Sequence, residues 1–305
     1  MKRHLGLPEG RFAGLPSPVV TFGVFDGVHL GHQAVIGEVV NWARSLAGTA
    51  VALTFDRHPQ TVLRGAPVPS ISSIEHRLVL IERAGADLTI VLPFTLDLAQ
   101  LSPEGFLDRF LVTEFRARGL VLGFDQRFGH QAAGNFAQAK AWGEIRGVEV
   151  RRGPEVDRAG LKVSSSAIRM AIAGGRLDEA AAMLGRAPSL LGTVVHGDGR
   201  GGKIGIHTAN LDLHQELLPP RGVYLASCTV DGKTYRTVVN IGLRPTFGAG
   251  KGDIVEAHLL DWSGDLYGRD LELVLARKLR DERKFDGVEA LVAQIRADIA
   301  EARRG

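Results

Sequence analysis

The hydrophobic positions of the chain change period a little past its middle. In the first part, short apolar runs rich in β-branched residues at 19–22, 51–55, 88–92, 120–124 and 148–150 read as buried strands. Between them, segments 34–45 and 75–84 carry apolar side chains at helical spacing, Val35, Ile36, Val39, Val40 and Ala43 in the first. Strands alternating with amphipathic helices predict an α/β domain built on a parallel, doubly wound, Rossmann-like sheet. Ligands of such sheets gather at the carboxyl ends of the strands.

A helical stretch ends near Leu184 and Gly185, and Arg186-Ala187-Pro188 then interrupts the pattern. From 191 to 275 the signals are short strands separated by glycine and proline turns. Asp231-Gly232, between apolar runs at 225–230 and 234–239, is a hairpin cue. This texture predicts a small β-barrel. The tail, 286–303, places Val288, Leu291, Val292, Ile295 and Ile299 at helical spacing and predicts one amphipathic helix packed on it. Two domains follow, 1–186 and 187–305, as a length of 305 residues allows.

Charge and cysteine usage narrow the setting. Lys and Arg total 37 against 34 Asp and Glu, a net of +3 without a long basic run, which argues against nucleic acid as the main partner. The single cysteine, Cys228, lies in the apolar stretch 223–230, so it forms no internal disulfide and is expected to be a buried, inert thiol. The first residues are not followed by an apolar stretch long enough for a signal peptide or a membrane span, so a cytoplasmic protein without a membrane partner is expected.

Two constellations carry candidate chemistry. Residues 22–32, Phe-Gly-Val-Phe-Asp-Gly-Val-His-Leu-Gly-His, join the first strand to the first helix, with glycines where backbone must turn tightly or approach a ligand. His29 and His32 stand at the helix N-terminus, where free amides and the helix dipole favour a phosphate. Two imidazoles there can donate to charge building on a phosphoryl oxygen. A metal pair or two ordinary surface histidines are the alternatives, and the flanking glycines favour phosphate. Ser164, Ser165 and Ser166 precede a further helical pattern; alone they would be an N-cap, but Arg169 one turn on suits a triphosphate clamp. In the second half, 196–205 is a glycine-rich turn of the kind that cradles phosphates, and Glu256 and His258 share one face of a strand.

These residues resemble the nucleotidyltransferases with an H-x-G-H motif and, over nearly the whole chain, the prokaryotic bifunctional riboflavin kinase/FMN adenylyltransferases. The resemblance implies an adenylyltransferase domain followed by a riboflavin-kinase barrel. It implies ATP contacts from Gly23, Phe25, His29, His32, Ser164, Ser165, Ser166 and Arg169 in the first, with His29, His32 and Arg169 catalytic. Residues 123–129, Gly-Phe-Asp-Gln-Arg-Phe-Gly, look like the family's flavin-side loop, which implies flavin contacts from Asp125 and Phe128; Gln126 stands where phenylalanine is usual. Residues 54–59, Thr-Phe-Asp-Arg-His-Pro, match T-F-x-P-H-P with Arg57 for the first proline.

Residues 206–210, Ile-His-Thr-Ala-Asn, resemble the kinase motif G-F-P-T-A-N, with His207 in place of the proline. The resemblance implies that Gly205, Thr208 and Asn210 bind ATP and that Thr208 and Asn210 hold Mg²⁺, a hard ion suited to neutral oxygens and nucleotide phosphates. It makes Glu256 the general base and implies that Arg280, in a segment resembling L-R-x-E-x-K-F, helps enclose flavin. Gly199 and Gly202 replace basic residues usual in the phosphate loop.

Riboflavin, FMN and ATP are thus the expected small-molecule partners. FMN's phosphate has a second pKa of about 6, so it attacks the α-phosphorus of ATP without a base. Riboflavin's terminal hydroxyl is neutral, and its phosphorylation benefits from one. Three rival readings are a different H-x-G-H transferase, an adenylyltransferase with a weak or vestigial kinase, and a flavin-binding sensor without turnover. The last two are motivated by His207, Gly199 and Gly202.

Overall fold

A computed structural model describes residues 1–6, 12–158, 161–197, 206–214, 217–243 and 253–304. The chain forms two compact units, 1–70 with 74–165, and 71–73 with 166–305.

The first unit is built on a six-stranded, all-parallel sheet. Its strands are β1 (Lys2–Leu5), β2 (Val19–Phe22), β3 (Ala50–Phe55), β4 (Leu88–Leu92), β5 (Gly119–Leu122) and β6 (Glu149–Arg152), in the order β1-β4-β3-β2-β5-β6. The edge strand β1 escapes the hydrophobic pattern because Lys2, Arg3 and His4 are polar. Met1 and Arg3 instead secure it through Glu82, at 3.1 and 2.5 Å. One face of the sheet packs an aromatic core that includes Phe12, Phe22, Phe106, Phe110, Phe115 and Phe128. The other packs the aliphatic stripe of helix Leu30–Ser45, with Val35, Ile36, Val39 and Val40 buried.

That helix begins four residues before the periodicity predicts, because His29 caps it. The segments Asp108–Glu114 and Phe136–Arg146 are helical without a clear apolar period. They are joined by Asp108, which accepts from Trp142 Nε1 at 3.0 Å and from Arg146 at 2.8 Å. Strand β2 has neighbours on both sides, and its hydrogen bonding to them is unequal. It pairs with β3 from Val19 through Phe22 but with β5 only at Val19/Gly119 and Val20/Leu120. The sheet therefore opens at its carboxyl edge between β2 and β5, where the winding direction reverses.

After a two-residue ladder of β7 (Asp157–Arg158) and β8 (Leu161–Lys162), helices Ser165–Ala173 and Leu177–Leu184 follow, the second ending on left-handed Gly185. The second unit is a closed antiparallel barrel of β9 (Ser189–Val195), β10 (Ala209–Leu213), β11 (Gly222–Val230), β12 (Lys233–Leu243), β13 (Asp253–Leu259) and β14 (Asp270–Arg280). Asp231 and Gly232 take positive φ of 51° and 78°, the primed turn that suits the twist of the β11–β12 hairpin. Tyr224, Cys228, Val239, Ile241, Val255, Ala257 and Leu273 fill the barrel, and Leu177 packs into the same cluster. Burial pushes the Cys228 thiol up to about 11, so it stays a protonated, inert side chain.

The C-terminal helix Val288–Arg304 lies on the outside of the barrel, where Ala302 meets Val223, Leu225, Val238 and Leu260. Its Asp298, 4% exposed, accepts from Arg280 Nε at 3.0 Å and Nη2 at 2.8 Å. Removing one partner of such a buried, multiply bonded pair leaves the other charge uncompensated. Asp298→Ala should therefore lower unfolding stability by about 3 kcal/mol, measured by urea titration. A loss below about 1 kcal/mol would show that the pair does not hold the helix.

Candidate active sites

The first site forms where β2 parts from β5. A cavity of about 850 Å³ opens there, bounded by segments that follow the carboxyl ends of β2, β3, β4, β5 and β6. The turn from β2 to helix Leu30–Ser45 is strained: Phe25, Gly27 and Val28 all have positive φ, 50°, 73° and 39°. Two left-handed non-glycine residues cost on the order of 1–3 kcal/mol each, so the turn persists only because its surroundings hold it. Thr54 Oγ1 donates to the carbonyl of Val24 at 3.0 Å. Buried Arg77 donates to Thr54 Oγ1 and to the carbonyl of Phe55, at 3.3 and 2.9 Å. From the helix side, Gln33 Nε2 donates to the carbonyl of Val28 at 2.8 Å.

His29 Nδ1 accepts from the backbone N–H of His32 at 3.3 Å, and the two rings stack with centroids 3.5 Å apart. Gly31 leaves the His29 ring uncrowded, since a Cβ there would sit 3.2 Å from it. Phe25 meets His32 edge-on at 5.3 Å. Burial first, then His29 and Arg77, hold the His32 imidazole well below its ordinary pKa, so it is neutral at physiological pH. Its Nδ1 has no hydrogen-bond partner among the described residues. A neutral ring keeps one N–H and one lone pair, so it can donate one hydrogen bond and accept one.

Other sequence-predicted residues converge on this cavity. Gly23, Phe25, Ser164 and Ser165 line it, and Ser165 Oγ donates to the carbonyl of Asp26 at 3.3 Å, tying the serine run to the histidine turn. Asp125 stands exposed in its wall. Phe128 also lines it, but its ring is 7% exposed and packs against Phe22 at 5.4 Å, so it forms the floor. Ser166 is exposed and Arg169 half-buried on helix Ser165–Ala173; both lie in the second unit.

The second site lies across three barrel strands. Glu256 on β13 is in register with Asn210 on β10 and with Asn240 on β12, so the three form one row. Val255 and Ala257 point into the barrel core, which turns Glu256 to the outer face. Asn240 Nδ2 donates to Glu256 Oε2 at 3.3 Å. The Asn210 amide packs over Gly197, where a Cβ would lie 2.1 Å from Nδ2. His258 Nδ1 is 2.7 Å from the carbonyl of His207, bracing the segment that carries Thr208. Gly205, Gly199 and Gly202 lie outside the described residues.

Arg280 does not face this row with a free guanidinium; it is engaged by Asp298 and by the carbonyl of Asp281, at 3.1 Å. Glu282 from the same segment accepts from the N–H of Leu243 at 3.3 Å, and a Cβ on Gly242 would come within 2.6 Å of its Oε1 and 3.5 Å of Asn240 Nδ2. Sequence reasoning gave no individual role to Thr54, Arg77, Gln126, Asn240 or Gly197, although Thr54, Gln126 and Gly197 lie in segments it singled out and Asn240 is a polar residue in an apolar strand run.

Comparison with known proteins divides the chain in the same way. The FAD synthetase family matches residues 14–167 and the riboflavin kinase family residues 184–305. The chain is 37% identical over 286 residues to a bifunctional riboflavin kinase/FMN adenylyltransferase of Pseudomonas fluorescens, covering 93% of this chain and 92% of that one. It is 36% identical over 288 residues to the same-named protein of Listeria monocytogenes, covering 93% and 91%. A crystal structure described as a macrolide-efflux protein from Streptococcus pneumoniae superposes with a TM-score of 0.84 at 31% identity, covering 99% of both chains. Among the described residues of this chain, no helix is long and apolar enough to cross a membrane.

The neutral state of His32 has a thermodynamic consequence. Its folded pKa lies below the ordinary value of 6.5, so as pH falls through 6.5 the unfolded chain gains a proton that the folded chain does not. Stability from this group is full above about pH 7.5 and is lost as pH falls toward the folded pKa, at up to about 1.4 kcal/mol per pH unit. Urea unfolding of the wild type and of His32→Gln from pH 8 to 5 should show a shallower acid slope in the variant. Parallel slopes would mean that His32 titrates alike in the folded and unfolded chain.

Proposed function

The chain belongs to the bifunctional riboflavin kinase/FMN adenylyltransferase family, and from that premise we propose how its residues divide the two reactions. The protein uses ATP to phosphorylate riboflavin to FMN and then adenylylates FMN to FAD, releasing pyrophosphate. The observation that carries our assignment of residues is a contrast between the sites. The cavity of the first unit presents a stacked histidine pair at a helix N-terminus, and the row on the barrel presents a carboxylate in register with two amides.

Adenylyl transfer needs alignment and charge stabilisation and no base, because FMN's phosphate is already largely dianionic. We assign the phosphates of ATP to the amides at the start of helix Leu30–Ser45, with Gly23 and Phe25 shaping the approach. His29 and His32 donate toward the reacting phosphoryl oxygens, and Ser164, Ser165, Ser166 and Arg169 belong to the same assignment. The apolar cavity with its Phe128 floor suits the flavin ring, and Asp125 stands at a polar position in its wall. The activity boundary is proposed at 186/187.

Phosphorylation of riboflavin needs a base, and Glu256 is assigned that role. Asn240 fixes one carboxylate oxygen; the other has no hydrogen-bond partner among the described residues and is available to take the ribityl hydroxyl proton as that oxygen attacks the γ-phosphorus and ADP leaves. Thr208 and Asn210, with Gly205, are assigned to ATP. The donor set fits Mg²⁺: a neutral hydroxyl on Thr208 and a neutral amide on Asn210, the amide packed over Gly197. When bound with ATP, such an ion neutralises phosphate charge. Arg280 we assign to enclosing the flavin by positioning its own segment, since its guanidinium bonds Asp298 of the C-terminal helix. A cytoplasmic setting is part of the proposal, supported by the buried thiol and the use of ATP.

Flavins separated by chromatography after incubation with ATP and Mg²⁺ test the division. Glu256→Gln should slow riboflavin phosphorylation by about 10²–10⁴ while FMN still becomes FAD. His32→Ala should slow FAD formation by about 10²–10³ while riboflavin still becomes FMN. A variant that loses both reactions together, or neither, would overturn the assignment.

A further inference from the structure

Strand β2 leaves β5 after the Val20/Leu120 pair, so the carbonyl of Phe22 and the N–H of Gly123 no longer have each other as ladder partners. One side chain satisfies both. Gln126 Nε2 donates to the Phe22 carbonyl at 2.7 Å, and its Oε1 accepts from the Gly123 N–H at 2.8 Å. Its own backbone N–H closes the turn on the Gly123 carbonyl at 3.2 Å. A primary amide has the length and the donor–acceptor pair to act as a missing rung between two splayed strands. A phenylalanine at this position could make neither bond.

We propose that Gln126 is a positioning residue of the adenylyltransferase half, spanning the gap between β2 and β5 and so fixing the segment 123–129 that meets the flavin. This rests on the reading that the first-unit cavity takes FMN and ATP. The segment has two anchors. At its far end, Phe128 and Gly134 exchange backbone bonds of 3.2 and 2.8 Å; at its near end the side-chain tether is Gln126. The histidine turn is braced separately, by Thr54, Arg77 and Gln33. Loss of the Gln126 bonds therefore loosens the flavin side and leaves the ATP side in place.

Full-length protein carries its own folding control, because the kinase reaction takes place on the other unit. Steady-state kinetics with FMN and with ATP varied separately should show, for Gln126→Met, a KM for FMN raised about ten-fold, as expected for two lost hydrogen bonds. The KM for ATP and the rate of riboflavin phosphorylation should stay within two-fold of wild type. Gln126→Glu keeps the bond from Gly123 but sets an acceptor against the Phe22 carbonyl, and should show the same selective rise; it decides the matter if the methionine variant loses its kinase activity too. An unchanged KM for FMN, or equal rises for FMN and ATP, overturns the inference while leaving the site reading intact. If the wild type itself makes no FAD from FMN, that reading falls and the inference with it.

Discussion

At the carboxyl edge of the parallel sheet, β2 stays hydrogen-bonded to β3 through Phe22 but gives up β5 after Val20. The rest of the first site follows from that parting. A gap between adjacent parallel strands makes room for a ligand, yet it strips two backbone groups of their partners, and buried polar groups without partners are costly. Gln126 resolves the cost on one side. On the other, the chain turns from strand to helix through left-handed Phe25 and Val28, held by Thr54 and Gln33, and delivers His29 and His32 to the helix N-terminus. The strain of the turn and the splay of the strands are two consequences of building one cleft.

The two halves of the molecule answer different chemical demands with different physics. The first holds buried His32 in its neutral form at a helix terminus, so that ring meets the anionic substrates by hydrogen bonding. The second places a carboxylate on the outside of a closed barrel, where the register of three strands brings Asn210 and Asn240 to either side of it.

Much of this was legible in the sequence where local rules apply. The strands β2 and β4, the Asp231-Gly232 hairpin and the C-terminal helix follow from period and turn chemistry, and the strand-to-helix turn announced its site through its glycines and histidines. What stayed hidden depends on contacts distant in sequence. Strand β1 is polar and is held by Glu82, the helix Phe136–Arg146 is fixed through Asp108, and Gln126, visible in the sequence only as a departure from phenylalanine, has no assignable role until Phe22, 104 positions away, is seen beside it. Arg280 was legible as a charge near a predicted site, but its partner Asp298 lies on a helix whose docking the pattern does not specify.

On the proposed division, two separate sites in one chain carry the two reactions, linked by FMN. The most direct measurement mixes the Glu256→Gln and His32→Ala proteins and follows riboflavin by chromatography. Each variant alone should fail to make FAD from riboflavin, and the mixture should make it, with FMN rising first. A mixture that makes no FAD, while each variant still performs its own half-reaction, would contradict independent sites joined by a released intermediate.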